Sequence, residues 1–112
     1  MFETQLAPEK LEAILSSLRA GLEELLGEQL KAVYLYGSRA RGDAQPDSDI
    51  DVMVVINREF DYFDMIERTS KLAADLSLDN DTVIALAFAT KETFAHKMSP
   101  FFMNVRKEAI EI

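Results

Sequence analysis

The sequence predicts a small α/β (α+β) domain in which helices pack against a mixed sheet of three or four strands. Three observations predict it. Two long segments carry apolar residues at spacings of three and four, the period of an amphipathic helix. Short runs rich in Val, Ile, Ala and Tyr follow them at strand length. The resulting order (helix, strand, turn, strand, helix, strand, helices) contains no internal repeat and no linker. The 112 residues therefore form one domain, 1–112, large enough for a single core.

The elements follow in order. A first helix is expected over 8–29, where Leu11, Ile14, Leu15, Leu18, Leu22, Leu25 and Leu26 form one apolar stripe. Pro8 suits its first turn and Gly27 falls in its stop region. The stripe reads as core packing ahead of a dedicated partner surface. A strand over 32–36 runs into Gly37-Ser38, and a short helical segment starts at Arg39 and ends at Gly42. Residues 42–48, rich in breakers and polar side chains, form a loop. It returns the chain to a second strand, 49–56. A second long helix covers 61–78, with Tyr62, Ile66, Thr69, Leu72, Ala73 and Leu76 as its inner face. After a turn at 79–81, the strand 82–88 is almost continuously apolar, which predicts burial on both faces. Residues 91–98 and 101–109 read as two short helices separated by Ser99-Pro100.

Composition narrows the chemistry. With 48% hydrophobic and 29% charged residues the chain is of the soluble globular kind. The absence of cysteine excludes disulfides, thiolate nucleophiles and zinc–thiolate sites. Twenty acids against twelve bases give a net charge of −8, which excludes the broad basic footprint that holds free nucleic acid. The charge points instead to a small nucleotide, its phosphates neutralised by Mg²⁺ and a few local bases, and to a basic protein partner. The N-terminus (Met1-Phe2-Glu3-Thr4-Gln5) has no basic export region, and no apolar run approaches membrane length, so a cytoplasmic location is expected.

The chemistry-bearing pattern is Gly37-Ser38, ten residues, Asp49-Ile50-Asp51. Side chains alternate along a strand, so Asp49 and Asp51 point to one face and Ile50 to the other. Two carboxylates at a strand's start make a hard-oxygen site suited to Mg²⁺. The Gly-Ser turn offers close backbone approach, N–H groups and a hydroxyl, which suit a phosphate chain. If the helical segment begins here, its first N–H groups and the Ser38 hydroxyl aim at a common point. Together these features read as a site for a metal–nucleoside triphosphate. The competing structural reading is an ordinary strand-ending turn followed by a loop, but it leaves two same-facing acids unexplained.

The stretch YLYGSRARGDAQPDSDIDVMVV resembles the signature of the nucleotidyltransferase superfamily related to DNA polymerase beta. It is most similar to the smallest branch, the minimal nucleotidyltransferases, and the ending SPFFMNVRKEAIEI resembles that branch more loosely. The resemblance implies the same fold and assigns roles. Asp49 and Asp51 would bind the Mg²⁺ ions that bridge the triphosphate and the attacking hydroxyl, aligning an in-line displacement. Gly37 and Ser38 would contact the β- and γ-phosphates, although a positive φ would explain Gly37 equally. Arg39 and Arg41 could each reach the triphosphate, or be solvated loop charges. The family usually draws a third carboxylate from a neighbouring strand. Here the strand 82–88 carries no acid, and the nearest candidate is Asp81, which could instead be a turn residue. His96 reads as a packed or exposed residue, Tyr34 and Tyr36 as packing on one strand face, where a tyrosine near a nucleotide could also stack on its base, and Phe101-Phe102-Met103 as core with an exposed part that would suit a partner.

The resemblance also implies a role. Minimal nucleotidyltransferases are commonly antitoxins paired with a helical HEPN-type ribonuclease toxin, to which they transfer AMP from ATP at a tyrosine hydroxyl. No second domain is present here to hold an acceptor, which agrees with a partner polypeptide bringing it. Two alternatives stay open: an antitoxin that neutralises its toxin by binding alone, and the catalytic subunit of a two-chain small-molecule nucleotidyltransferase.

Overall fold

Apolar periodicity places the helices and short apolar runs place the strands, and the computed structural model, which describes residues 6–112, assembles them in three layers. Residues 1–5, read above as lacking an export region, lie outside the described residues. Helix α1 (Pro8–Leu26) starts with Pro8 at its first turn and ends at Gly27, whose φ is 54°. A single 3₁₀ turn (Gly27–Gln29) leads into β1 (Leu30–Tyr36). The short α2 (Ser38–Arg41) and a loop precede β2 (Ile50–Ile56). Helix α3 (Tyr62–Asp79) is capped by the Asp61 side chain, which accepts from the Asp64 N–H. Strand β3 (Ile84–Thr90) runs into α4 (Lys91–His96), and α5 (Pro100–Glu108) into the two-residue β4 (Ile110–Glu111).

The sheet is mixed and four-stranded, in the order β3-β2-β1-β4. Strand β1 is antiparallel to β2 and β4, and β2 is parallel to β3. Pleating sorts the residues into two cores. On one face Val33, Leu35, Ile50, Val52, Val54, Ile56, Ile84 and Phe88 pack under α1 and α3. On the other, Ala32, Met53, Val55 and Ala89 pack with Val105, Phe94 and Phe102 of α5 and α4. Asp51 belongs to the second face by alternation, which is why α5 overlies it.

Several expectations shift. The α1 stripe runs through Ile14, Leu15, Leu18, Leu22 and Leu26, and Leu25 is exposed. In α3 the buried line is Met65 and Thr69, continued by the half-buried Leu72 and Leu76, while Tyr62 and Ile66 are exposed. Strand β3 starts two residues late, because Asp81 takes a left-handed φ of 50° in the turn and Val83 is exposed. Strand β4 was not foreseen. Among the described residues no helix is long and apolar enough to cross a membrane.

Candidate active site

The site forms where β1 ends and β2 begins. Tyr36 is the cross-strand partner of Asp51, so the turn leaving β1 lies beside the acid that opens β2. Asp51 is half-buried, and Asp49, just ahead of the ladder, is exposed. Gly37 permits the close approach: its φ is 78°, and a Cβ there would run into the Asp51 carboxylate. Burial pushes the Asp51 carboxyl above its usual range. The Asp49 charge adds to the rise, Arg41 opposes it, and Glu108 adds again.

The turn presents unused donors. The N–H groups of Ala40 and Arg41 both donate to the Gly37 carbonyl at 3.0 Å, and that of Gly42 donates to the Ser38 carbonyl at 2.9 Å. Among the described residues the Ser38 and Arg39 N–H groups and the Ser38 hydroxyl have no partner. The Ser38 donors stand at a cavity of about 380 Å³ lined by Tyr36, Gly37, Ser38, Arg41, Asp51, Phe101, Asn104, Val105 and Glu108. The Tyr36 hydroxyl, pushed up to about 12 chiefly by burial, stays protonated and available as a donor. A larger cavity of about 660 Å³ lies between α1 and the C-terminal strand, lined by Leu11, Leu15, Leu35 and Ile110 among others. The chemistry belongs in the smaller one, where the acid and the open donors meet.

The two arginines part company. Two apart on a helix, they cannot face the same way, and that signal was already present in the sequence. Arg41 lines the Asp51 cavity, its Nε donating to Asp43 at 3.1 Å and its Nη1 to Glu108 at 3.1 Å. The two carboxylates hold its guanidinium above its usual range. Arg39 turns to the loop instead and donates from Nη2 to the Ser48 carbonyl at 2.9 Å. It ties down the segment that delivers Asp49. Asp81 sits in the exposed turn after α3, beside Arg39, Pro46 and Asn80, and does not line the Asp51 cavity. The β3 residue in register with Asp51 is Ala85. Neither His96, exposed at the end of α4, nor Tyr34, stacked on Phe94 at 4.6 Å, lines the site.

Sequence reasoning missed Glu108. Its Oε1 accepts from the Gly37 N–H at 2.9 Å and its Oε2 from Arg41. In the sequence it reads as one more charge near the end of an amphipathic helix, with no local signal to set it apart.

Among the described residues no group of three His, Cys, Asp or Glu is arranged to hold a metal ion by itself. Mg²⁺ needs less than that, since it keeps several waters and takes one or two carboxylates plus the phosphates of its substrate. Asp49 and Asp51 fit that donor set, and a divalent cation would offset both the burial and the Asp49 charge that raise Asp51.

The family model for polymerase beta nucleotidyltransferase domains matches residues 21–99, from the middle of α1 through α4. The chain is a member of that family. This nucleotidyltransferase is 36% identical over 81 residues to a Methanocaldococcus jannaschii protein named "Putative protein adenylyltransferase MJ0604", a match covering 71% of this chain and 75% of the relative. Its fold is shared with a toxin–antitoxin protein crystallised with AMP-PNP (TM-score 0.62, 20% identity, 86% of this chain and 69% of that one). It is shared also with a nucleotidyltransferase-like protein of Sulfolobus solfataricus (TM-score 0.55, 23% identity, 90% and 83%). The nucleotidyltransferase thus places Gly37-Ser38 and Asp49-x-Asp51 at one end of its sheet, and the family match stops short of α5 and Glu108.

Proposed function

We propose that this nucleotidyltransferase is a Mg²⁺-dependent protein adenylyltransferase acting in the cytoplasm as an antitoxin. It would move AMP from ATP to a tyrosine hydroxyl of a HEPN-type ribonuclease toxin. The observation that carries the reading is the meeting of Asp51, the open donors of the Gly37-Ser38 turn and Arg41 around one cavity. Asp49 and Asp51 would hold the metal, and the Ser38 N–H and hydroxyl, the Arg39 N–H and Arg41 would bind the β- and γ-phosphates. When bound, Mg²⁺ supplies neutralisation of the triphosphate charge and alignment of the attacking oxygen. The acceptor oxygen bonds to the α-phosphorus as the bridging P–O bond to the β-phosphate breaks, and pyrophosphate leaves on the side of the turn.

Ala85 beside Asp51 supplies no third carboxylate, so the site favours an acceptor that gives up its proton readily. A phenol, with a pKa of about 10, meets that need better than an alkyl hydroxyl. Its proton passes to the Asp49–Asp51 pair or to water. The half-exposed Phe101 of α5 lines the cavity and offers an apolar anchor to a partner that brings the acceptor. The names carried by the relatives, a protein adenylyltransferase and a toxin–antitoxin protein holding an ATP analogue, support the same reading.

The missing third acid favours one competing reading, an antitoxin that works by binding alone. Intact-mass analysis of the protein encoded by the adjacent gene, co-expressed with wild type or with Asp49→Ala, separates the two. AMP-sized increments that disappear with Asp49→Ala are the expected result. A tight complex with no increments in either case would leave binding alone.

A further inference from the structure

Glu108 is the last residue of α5, the negative end of a helix, where a carboxylate is the wrong charge. That placement costs free energy that α5 packing does not explain. What offsets it is a pair of bonds into the nucleotide site, to the Gly37 N–H at 2.9 Å and to Arg41 Nη1 at 3.1 Å.

We propose that Glu108 is a positioning residue, a brace from α5 that fixes both ends of the Gly37–Arg41 turn in the shape that receives the triphosphate. The proposal rests on reading the cavity as a metal–nucleotide site. Gly37 opens the turn with its left-handed φ and Arg41 closes α2, so one carboxylate holds the first and last residues at once. The brace consumes none of the donors the phosphates need. The Ser38 and Arg39 N–H groups and the Ser38 hydroxyl stay open, and Arg41, held at Nε by Asp43 and at Nη1 by Glu108, keeps Nη2 free among the described residues. A competitor for the phosphate position would instead occupy those groups. A third metal ligand would gather with Asp49 and Asp51, and no such group of three exists among the described residues.

The brace and its use are tested separately, in wild type, Glu108→Gln and Glu108→Ala. Amide hydrogen exchange at Gly37 in the free protein reports the brace. Calorimetric affinity for AMP-PNP with Mg²⁺, measured well below the lowest Tm, reports its use. The Gln amide oxygen still accepts from Gly37, but its NH₂ group turns against Arg41, so exchange stays slow and affinity falls about 10-fold. The Ala variant loses both bonds, so Gly37 exchange accelerates and affinity falls toward about 100-fold. Affinity that is unchanged or tighter in both variants, even with a lowered Tm, overturns the positioning role. Gly37 exchange that stays slow in Glu108→Ala overturns the brace itself. Wild type that binds no AMP-PNP while exchange behaves as expected overturns the nucleotide site, and the use of the brace falls with it.

Discussion

Gly37 and Asp51 depend on each other. A side chain at Gly37 would meet the Asp51 carboxylate, and φ of 78° strains any L residue. Gly42, with φ of 88° and open space around it, carries only the second cost. Gly37→Ala should therefore lower stability by about 1–3 kcal/mol and abolish AMP-PNP binding, while Gly42→Ala loses less stability and keeps binding. Urea melts and calorimetry on the two variants check the difference. Asp51 makes a second prediction through its raised pKa. With the folded pKa above the unfolded value, the free protein binds the extra proton more tightly when folded, so this group's contribution to stability falls as pH rises through that pKa. A cation that binds the charged form reverses the penalty. The Tm gain from Mg²⁺ with AMP-PNP should be full near neutrality and fade as pH drops through the Asp51 range, above the ordinary 3.8. Asp51→Asn should show no such pH dependence. The residues behind both predictions were legible because they lie within fifteen positions of one another on a strand, a turn and a strand. Glu108 was not legible. Its contact with Gly37 spans 71 residues and exists only once α5 has crossed the sheet.

The elements were legible where period and burial coincide. Leu18 and Leu22 are fully buried on α1, and both stand on the predicted stripe. Leu25 also fits the period but lies at the stripe's edge, 40% exposed, because a stripe defined by sequence is wider than the strip of sheet it covers. Leu18→Ala should thus cost about 3 kcal/mol and Leu25→Ala under about 1 kcal/mol, read as a shift in denaturant midpoint at constant m. In α3 the inner face turned out to be Met65 and Thr69, with Tyr62 displaced toward the sheet edge. There its hydroxyl accepts from the Phe88 N–H at 3.3 Å, and its ring meets Phe88 edge-on at 5.5 Å. The buried line of Met65, Thr69, Leu72 and Leu76 keeps the helical spacing of four and three, so the expected face erred only in starting from Tyr62 and Ile66. Strand β3 is covered on both faces, as its apolar run implied, yet it lies at the edge of the sheet. Strand β4 eluded the sequence because two residues, Ile110 and Glu111, cannot display a period. Its pairing with Tyr34 and Leu35 nevertheless fixes the chain just beyond Glu108.

At the scale of the whole molecule, the net charge of −8 and the neutralisation of the local bases act together. Arg41 is already paired with Asp43 and Glu108, which leaves its Nη2 for a bound nucleotide, and Arg39 is turned into the loop, so among the described residues the cavity offers no run of basic groups that could follow a polynucleotide backbone. Free RNA or DNA should not bind at physiological salt, because each phosphate contact needs a basic group to displace a counterion. The same acidic surface should speed encounter with a basic partner and leave the final affinity to the buried contacts. Stopped-flow association with the co-expressed product of the adjacent gene should therefore slow by about tenfold or more as salt rises from low to physiological levels and beyond, with dissociation changing far less. Fluorescence titration of labelled single-stranded RNA should give no saturable signal over the same range. A salt-independent association rate would place recognition wholly in apolar contacts such as Phe101 and Met103. Saturable RNA binding with a steep salt slope would instead mean that a polynucleotide, and not a protein, is the acceptor the acid pair serves.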